Sequence, residues 1–116
     1  MKSKKSEIHA NLRSILEKTL EEARREYVLA KESRDSDTKS SAGDKFETGR
    51  EMMQREMDKL SALIDNTLNS IAKLDRIADL PVSAIISEGS LVETEQDTYY
   101  ISIGYGKLEA VYAISI

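Results

Sequence analysis

The stretch SRDSDTKSSAGDKFETG, residues 33–49, decides how the rest of the chain is interpreted. It is short, polar and rich in acids, and long segments of helical character lie before and after it. We therefore interpret it as the turn of a helical hairpin whose tip is formed by residues 35–41. A tip presented in this way is suited to insertion into an opening of a larger partner, where its carboxylates could take part in chemistry.

The first helix of this hairpin is predicted over residues 5–34. This range contains neither Pro nor Gly, and its apolar residues recur at steps of four and three, as on one face of a helix. The residues of this stripe are Ile8, Leu12, Leu16, Leu20, Ala23, Tyr27 and Ala30. His9 is predicted to be a partly exposed helix residue. A helix of this length needs a partner helix to be stable.

The second helix carries the strongest periodic signal in the chain. Its stripe follows a 4-3-4-3 spacing and consists of Met53, Met57, Leu60, Ile64, Thr67, Ile71, Leu74 and Ala78. We expect this helix to start near Ser41 or Ala42 and to end before Pro81, because proline lacks the backbone donor. With a turn centred near Asp37 and Thr38, residue 8 would lie level with about residue 67. Residues 71–78 would then overhang the first helix and need cover from elsewhere.

The last third of the chain changes period. Short β-branched and aromatic runs begin at Gly89, Tyr99 and Leu108 and are separated by turn signals at residues 95–97 and 104–107. We predict three antiparallel strands, with the tyrosines packed on the sheet and the last strand left as an open apolar edge. The predicted fold class is α+β: an antiparallel coiled-coil hairpin over residues 1–80, followed by a small, incomplete antiparallel β domain over residues 81–116.

Composition excludes several classes of function. The net charge of −4 argues against a protein whose main ligand is a nucleic-acid backbone. The chain contains no Cys, which excludes thiol nucleophiles and Cys-ligated zinc, and a single His argues against a His-based metal cage or triad. There is no apolar run of about 18 residues. We expect a cytoplasmic protein without an active site or cofactor of its own.

Three segments resemble the Gre family of bacterial transcription factors, and more closely a short branch of it associated with Bacteroidetes. They are SSAGDKFETGREMMQREMDKL at residues 40–60, GSLVE at residues 89–93 and YYISIGYGKLEA at residues 99–110. The resemblance implies a monomer that docks on RNA polymerase and inserts its coiled coil through the secondary channel. It also implies that tip carboxylates share a magnesium ion with the polymerase, which then cleaves backtracked RNA. The β domain of that family continues beyond the last strand found here, so we expect a shortened form.

The acids of the tip are Asp35, Asp37, Asp44 and Glu47. Carboxylates are the side chains that bind magnesium, and we select Asp37 and Asp44 as the ligand pair, because Asp37 is expected to lie outside the helices. The alternative is that Asp44 and Glu47 only stabilise the positive start of the second helix. The spacing of the acids differs from the usual pattern of the family, so stimulation of cleavage and simple occupancy of the channel both stay open.

A second hypothesis belongs to another class of function. The overhanging residues 71–78 and the open last strand also suit an oligomeric helical scaffold or a holdase-like chaperone. A pull-down against RNA polymerase and the size of the particle in solution separate the two hypotheses.

Overall fold

The structure, a computed structural model, describes residues 4–37, 43–81 and 83–116. Of residue 37 and residues 43–48 it describes the backbone alone. Two long helices, α1 (Lys4–Asp37) and α2 (Gly43–Ala78), precede four short strands. The strands are β1 (Leu91–Glu93), β2 (Thr98–Ile101), β3 (Gly106–Leu108) and β4 (Val111–Ile114). The predicted α+β fold class, with a helical hairpin and a small sheet, is confirmed.

The chain forms two compact units, and both helices contribute to each of them. One unit consists of Met1–Leu16 and Asn69–Ile116, which we call the sheet unit, and the other is Glu17–Leu68, which we call the hairpin unit. The division predicted from the sequence at residue 80 follows the change of secondary structure, and it stays a prediction about domains.

The predicted apolar stripes form the helix contacts in both units. Ala23, Ala30, Met57 and Leu60 are buried in the hairpin unit. Thr67, the one polar member of the α2 stripe, is also buried, and its hydroxyl donates to the Leu63 carbonyl at 2.7 Å. This bond satisfies the hydroxyl inside the helix itself, so a polar residue is tolerated on the stripe.

The register of the two helices differs from the predicted one. Arg13 binds both carboxylate oxygens of Asp75, from Nε at 2.7 Å and from Nη2 at 3.1 Å. The first turns of α1 therefore lie beside the end of α2. Residues 71–78 do not overhang α1, and the prediction that they need cover from elsewhere is wrong. At the end of the stripe it is Ile77 that is buried, whereas Ala78 is exposed.

The sheet has four strands in the order β1-β2-β4-β3, so the prediction of three strands is wrong. The additional strand, β3, lies mostly in the predicted turn at residues 104–107, and a turn at Glu109, whose φ is 54°, separates it from β4. The predicted all-antiparallel pairing is also wrong, because β2 and β4 run parallel. β4 lies between β2 and β3, so it is not the open edge that the sequence suggested; the edges are β1 and β3.

The loop between α2 and β1 is fixed by several bonds. Arg76 on α2 forms an ion pair with Glu88, and the Gly89 amide donates to the Ile101 carbonyl at 2.7 Å. Gly89 has a φ of +92°, and a Cβ placed there would lie 3.3 Å from Cγ2 of Ile77. Glycine is therefore required at this point both by the backbone conformation and by the close approach of α2.

We expect Gly89→Ala to lower the free energy of unfolding by about 1–3 kcal/mol, because it forces a left-handed conformation on a residue with a side chain and crowds Ile77. Gly104→Ala is the matched control, since the nearest atom to a Cβ there is Ser115 Oγ at 3.8 Å. Urea unfolding followed by circular dichroism measures both variants. Equal stability of the two would contradict the requirement for glycine at position 89.

Candidate functional site

The predicted tip lies largely outside the described side chains. Asp37 is the last residue of α1, so the expectation that it lies outside the helices is wrong, and Asp44 lies in the first turn of α2. The structure does not describe the side chains of Asp37, Asp44 and Glu47, nor Ser41 and Ala42, the predicted start of the second helix. Their roles stay predictions.

Asp35 is the one predicted tip acid whose side chain is described. One of its oxygens lies 3.1 Å from the Arg34 guanidinium, which also donates to Gln54 on α2 at 2.8 Å. Arg34 thus joins the end of α1 to α2 within the hairpin unit. Asp35 is engaged by this arginine, which neutralises part of the negative charge near the tip.

Among the described side chains, no group of three or more His, Asp or Glu residues is placed to hold a metal ion. The side chains of the selected pair, Asp37 and Asp44, do not belong to the described ones, so their role as ligands stays a prediction.

The sheet unit contains a polar pair that the sequence did not predict. His9 on α1 and Tyr100 on β2 are joined by a hydrogen bond of 2.6 Å between Nδ1 and the phenol oxygen, with the rings arranged edge to face. Burial raises the pKa of Tyr100 to about 12, so the phenol keeps its proton and is the donor. His9 therefore accepts at Nδ1, and the neutral ring carries its proton on Nε2.

The electrostatic surroundings of His9 favour the neutral ring. Burial lowers the pKa of His9 below its usual value near 6.5; the Asp75 carboxylate opposes this shift, whereas Arg13 and Lys5 add to it. Asp75 is itself held by Arg13, and this hydrogen bond lowers the pKa of the carboxyl. Much of the negative charge that would stabilise a protonated His9 is therefore already bound to an arginine.

A cavity of about 200 Å³ lies next to this pair. It is lined by Lys5, Ser6, His9, Ala78 and Tyr100. A second cavity, of about 250 Å³, shares Lys5 and extends along Pro81 and the loop at residues 83–91. Because the basic Nδ1 position of His9 is already used by Tyr100, the pair serves as a tie between α1 and β2 rather than as a general base.

The sequence predicted the surroundings of His9 and of Tyr100 separately. His9 is partly exposed and Tyr100 packs on the sheet, as predicted, but the bond between them was missed. A signal was present, because His9 precedes Leu12 and Leu16 by steps of three and seven and so extends the buried stripe of α1 toward its start.

The state of His9 predicts how stability depends on pH. Because its pKa is lower in the folded chain than in the unfolded chain, the unfolded chain takes up the proton first as the pH falls. We expect the contribution of His9 to be fully present above about pH 6.5 and to be lost progressively below it. Urea midpoints between pH 8 and pH 5.5 measure this loss. His9→Gln, which removes the only histidine, should flatten the profile in that window, and parallel profiles would contradict the assignment.

Comparisons with models of known protein families, with curated proteins and with solved structures found no match. The resemblance to the Gre family therefore stays a prediction. Within the described ranges, neither helix has a stretch that is long and apolar enough to cross a membrane.

Proposed function

We propose that this chain is a Gre-like regulator of transcription elongation that binds RNA polymerase in the cytoplasm and inserts the connected ends of its helices into the secondary channel. One observation carries the proposal. Two helices of 34 and 36 residues pack as a hairpin whose connected ends carry the acids Asp35, Asp37, Asp44 and Glu47, and a small sheet follows in the same chain. This is the order of elements that the sequence resemblance implies.

The packing of the hairpin unit supports insertion. Ala23 and Ala30, the buried residues of α1 in this unit, are small and permit a close approach of the two helices. Helix axes packed through small side chains lie near the lower end of the usual range of about 8–10 Å. A hairpin of this kind is slender, and its burial on one stripe leaves the charged faces of both helices toward water, as a water-filled channel requires.

The chemistry proposed at the tip is ligation rather than catalysis by the chain itself. Asp37 at the end of α1 and Asp44 at the start of α2 are separated only by the connection between the helices. Carboxylate oxygens are suitable ligands for a magnesium ion that the polymerase also holds, and such an ion would activate water for RNA cleavage. If this pair does not reach the ion, the hairpin acts by occupying the channel.

The proposal is tested with purified RNA polymerase from the same cell and a stalled, backtracked transcription complex. We expect binding at micromolar concentration and faster cleavage of the transcript in the presence of magnesium. The double variant Asp37→Ala, Asp44→Ala should keep binding and lose at least about tenfold in cleavage rate. The matched control is Glu56→Ala, Asp65→Ala, which removes two exposed acids of α2 and should leave the cleavage rate unchanged.

The outcomes of this experiment separate the versions of the proposal. Binding without cleavage, by the wild-type chain, supports the version in which the hairpin occupies the channel. Equal loss of cleavage in the double variant and its control would contradict a ligand role for Asp37 and Asp44. Absence of binding at micromolar concentration would contradict the proposed function as a whole.

The alternative function is an oligomeric scaffold or a holdase-like chaperone. The two features that suggested it, an overhanging end of α2 and an open last strand, are not found in the structure. Residues 71–78 have α1 beside them, and β4 is an interior strand. The observation that now favours it is the pair Ile85 and Ile86, whose side chains are 74% and 69% exposed in the loop before β1. Light scattering separates the two functions, since the regulator is expected to be a monomer and the scaffold a stable oligomer.

A further inference from the structure

One row of side chains crosses all four strands of the sheet. Val92 on β1 is paired with Tyr99 on β2, Tyr99 with Tyr112 on β4, and Tyr112 with Lys107 on β3. We call these four residues the tyrosine row. Successive side chains of a strand point to opposite faces of the sheet, so the tyrosine row lies on the face opposite to that of Tyr100. The Tyr100 hydroxyl binds His9 of α1. The tyrosine row therefore lies on the side of the sheet that faces away from the helices of its unit.

The two central rings of the row form a flat, partly exposed aromatic surface. The centroids of Tyr99 and Tyr112 are 5.6 Å apart and their planes differ by 25°, so the rings are stacked, and both side chains are only half-buried. Lys107 already places its ammonium 6.0 Å from the centroid of Tyr112. The face of that ring thus accepts a cation within this chain.

A carboxylate lies beside the row, next to Tyr99. Asp97 precedes β2 and shares a face with Tyr99, and its Oδ2 lies 3.4 Å from the Tyr99 hydroxyl. The negative charge of Asp97 is the main cause of the raised pKa of Tyr99. An aromatic ring and a carboxylate side by side are the two groups that together hold a guanidinium, which stacks on the ring and donates to the oxygens.

The charge of the sheet region selects the kind of partner. Residues 91–116 carry four acids and one base: Glu93, Glu95, Asp97, Glu109 and Lys107. This acidic balance repels a phosphate backbone, so a nucleic acid is disfavoured despite the tyrosines. It also disfavours a second copy of the same acidic face.

The size of the row also argues against a second copy of the chain as the partner. Four strands at about 4.8 Å spacing give a row roughly 15 Å long. A stable dimer buries about 800 Å² on each partner, which one row of four side chains cannot supply. A surface of this size fits a short peptide segment.

We propose that the tyrosine row, with Asp97, is a docking site for an arginine-bearing segment of a partner protein. The arginine lies over the Tyr99 ring and donates to the Asp97 carboxylate, and the apolar neighbours of the segment contact Val92 and the half-buried ring of Tyr112. This site goes beyond the proposed function, which depends on the hairpin. Its failure and the failure of polymerase binding are therefore separate results.

The test uses the full chain, labelled with ¹⁵N, and a nonapeptide that carries two arginines among leucine and serine residues. We expect the peptide to shift the amide resonances of the tyrosine row and of Asp97. The same peptide with lysines in place of the arginines should bind several-fold more weakly, because an ammonium does not stack on a ring or donate in a fork.

Variants of the protein identify the groups that bind. Asp97→Asn should weaken the arginine peptide about tenfold, and Tyr99→Leu should weaken it by a similar factor, whereas Tyr99→Phe keeps the ring and should bind nearly as well. Glu95→Gln is the matched control, because it removes the same charge from an exposed side chain of the same turn, whereas Asp97 is the acid that accepts from Tyr99. Circular dichroism checks that each variant is folded, and the phenylalanine variant keeps the test valid if the leucine variant unfolds.

Several results would overturn the proposal. One is the absence of shifts at millimolar peptide. Another is equal binding of the lysine peptide together with an equal loss of affinity in Asp97→Asn and Glu95→Gln, because these two results would indicate general charge attraction. Shifts of the same resonances on dilution without peptide would indicate a second copy instead. The same shifts produced by an oligouridylate would indicate a single-stranded nucleic acid.

Discussion

Tyr100→Ala should lower the free energy of unfolding of the sheet unit by about 3–5 kcal/mol. Tyr100 is the largest of the fully buried side chains and is only 1% exposed. Its removal leaves a cavity between β2 and the start of α1, and it also leaves Nδ1 of His9 without its donor. Small domains are stable by only about 5–15 kcal/mol, so this one substitution removes a large share of the total.

The matched control for this prediction is Tyr105→Ala. It makes the same chemical change in the same unit at a side chain that is 41% exposed, and we expect a loss below about 1 kcal/mol. Four of the five tyrosines of the chain belong to the sheet unit, so near-ultraviolet circular dichroism follows the unfolding of that unit. Equal losses in the two variants would contradict the core position of Tyr100.

Tyr100→Phe separates the two parts of the effect. It keeps the ring and removes the hydroxyl, so the expected loss is about 0.5–1.5 kcal/mol, the usual net value of one hydrogen bond. A loss close to that of Tyr100→Ala would mean that the bond to His9 dominates and that the filled cavity contributes little.

The helices could be predicted from the sequence because their signals are local. The spacing of Leu12, Leu16 and Ala23 on α1, and of Met57 and Leu60 on α2, needs only neighbouring residues to be recognised, and all five are buried. The register between the helices is a long-range property. It depends on the length and course of the connection, and the sequence alone offered an assumed centre for the turn, which was wrong.

The sheet was predicted in part for the same reason. The β-branched and aromatic runs mark strands, but the turn that separates β3 from β4 uses Glu109 in a left-handed conformation, where the usual signal would be Gly, Asn or Asp. The parallel pairing of β2 and β4 is reached through residues 102–110, which include β3. Parallel strands are normally joined by roughly a dozen or more residues, so a link of this length does not suggest them.

The candidate sites also differ in whether a local sequence pattern is enough to predict them. The acids at the connection between the helices are visible in the sequence because a polar segment between two periodic ones is a local pattern. The bond between His9 and Tyr100 joins residues 91 positions apart, and the tyrosine row depends on the order of four strands. Neither follows from spacing along the chain, because each requires the register of elements that are distant in sequence.

Leu74→Ala tests the observed register of the helices directly. Leu74 has no exposed surface and lies one residue before Asp75, which is bound by Arg13 of α1. We expect a loss of about 2–5 kcal/mol in the free energy of unfolding, because the cavity left by the side chain is enclosed. In the register predicted from the sequence this part of α2 would overhang α1, and without cover from another element the same truncation would cost far less.

Leu63→Ala provides the comparison, since it is the same truncation on the same helix at a side chain that is 43% exposed. Its expected loss is below about 1 kcal/mol. Urea unfolding of both variants, followed by circular dichroism at 222 nm, gives the difference between them. A small loss at Leu74 would mean that the end of α2 is not packed beside the first turns of α1. The contact between Arg13 and Asp75 alone cannot replace that packing, because it is an exposed ion pair and such pairs contribute little to stability.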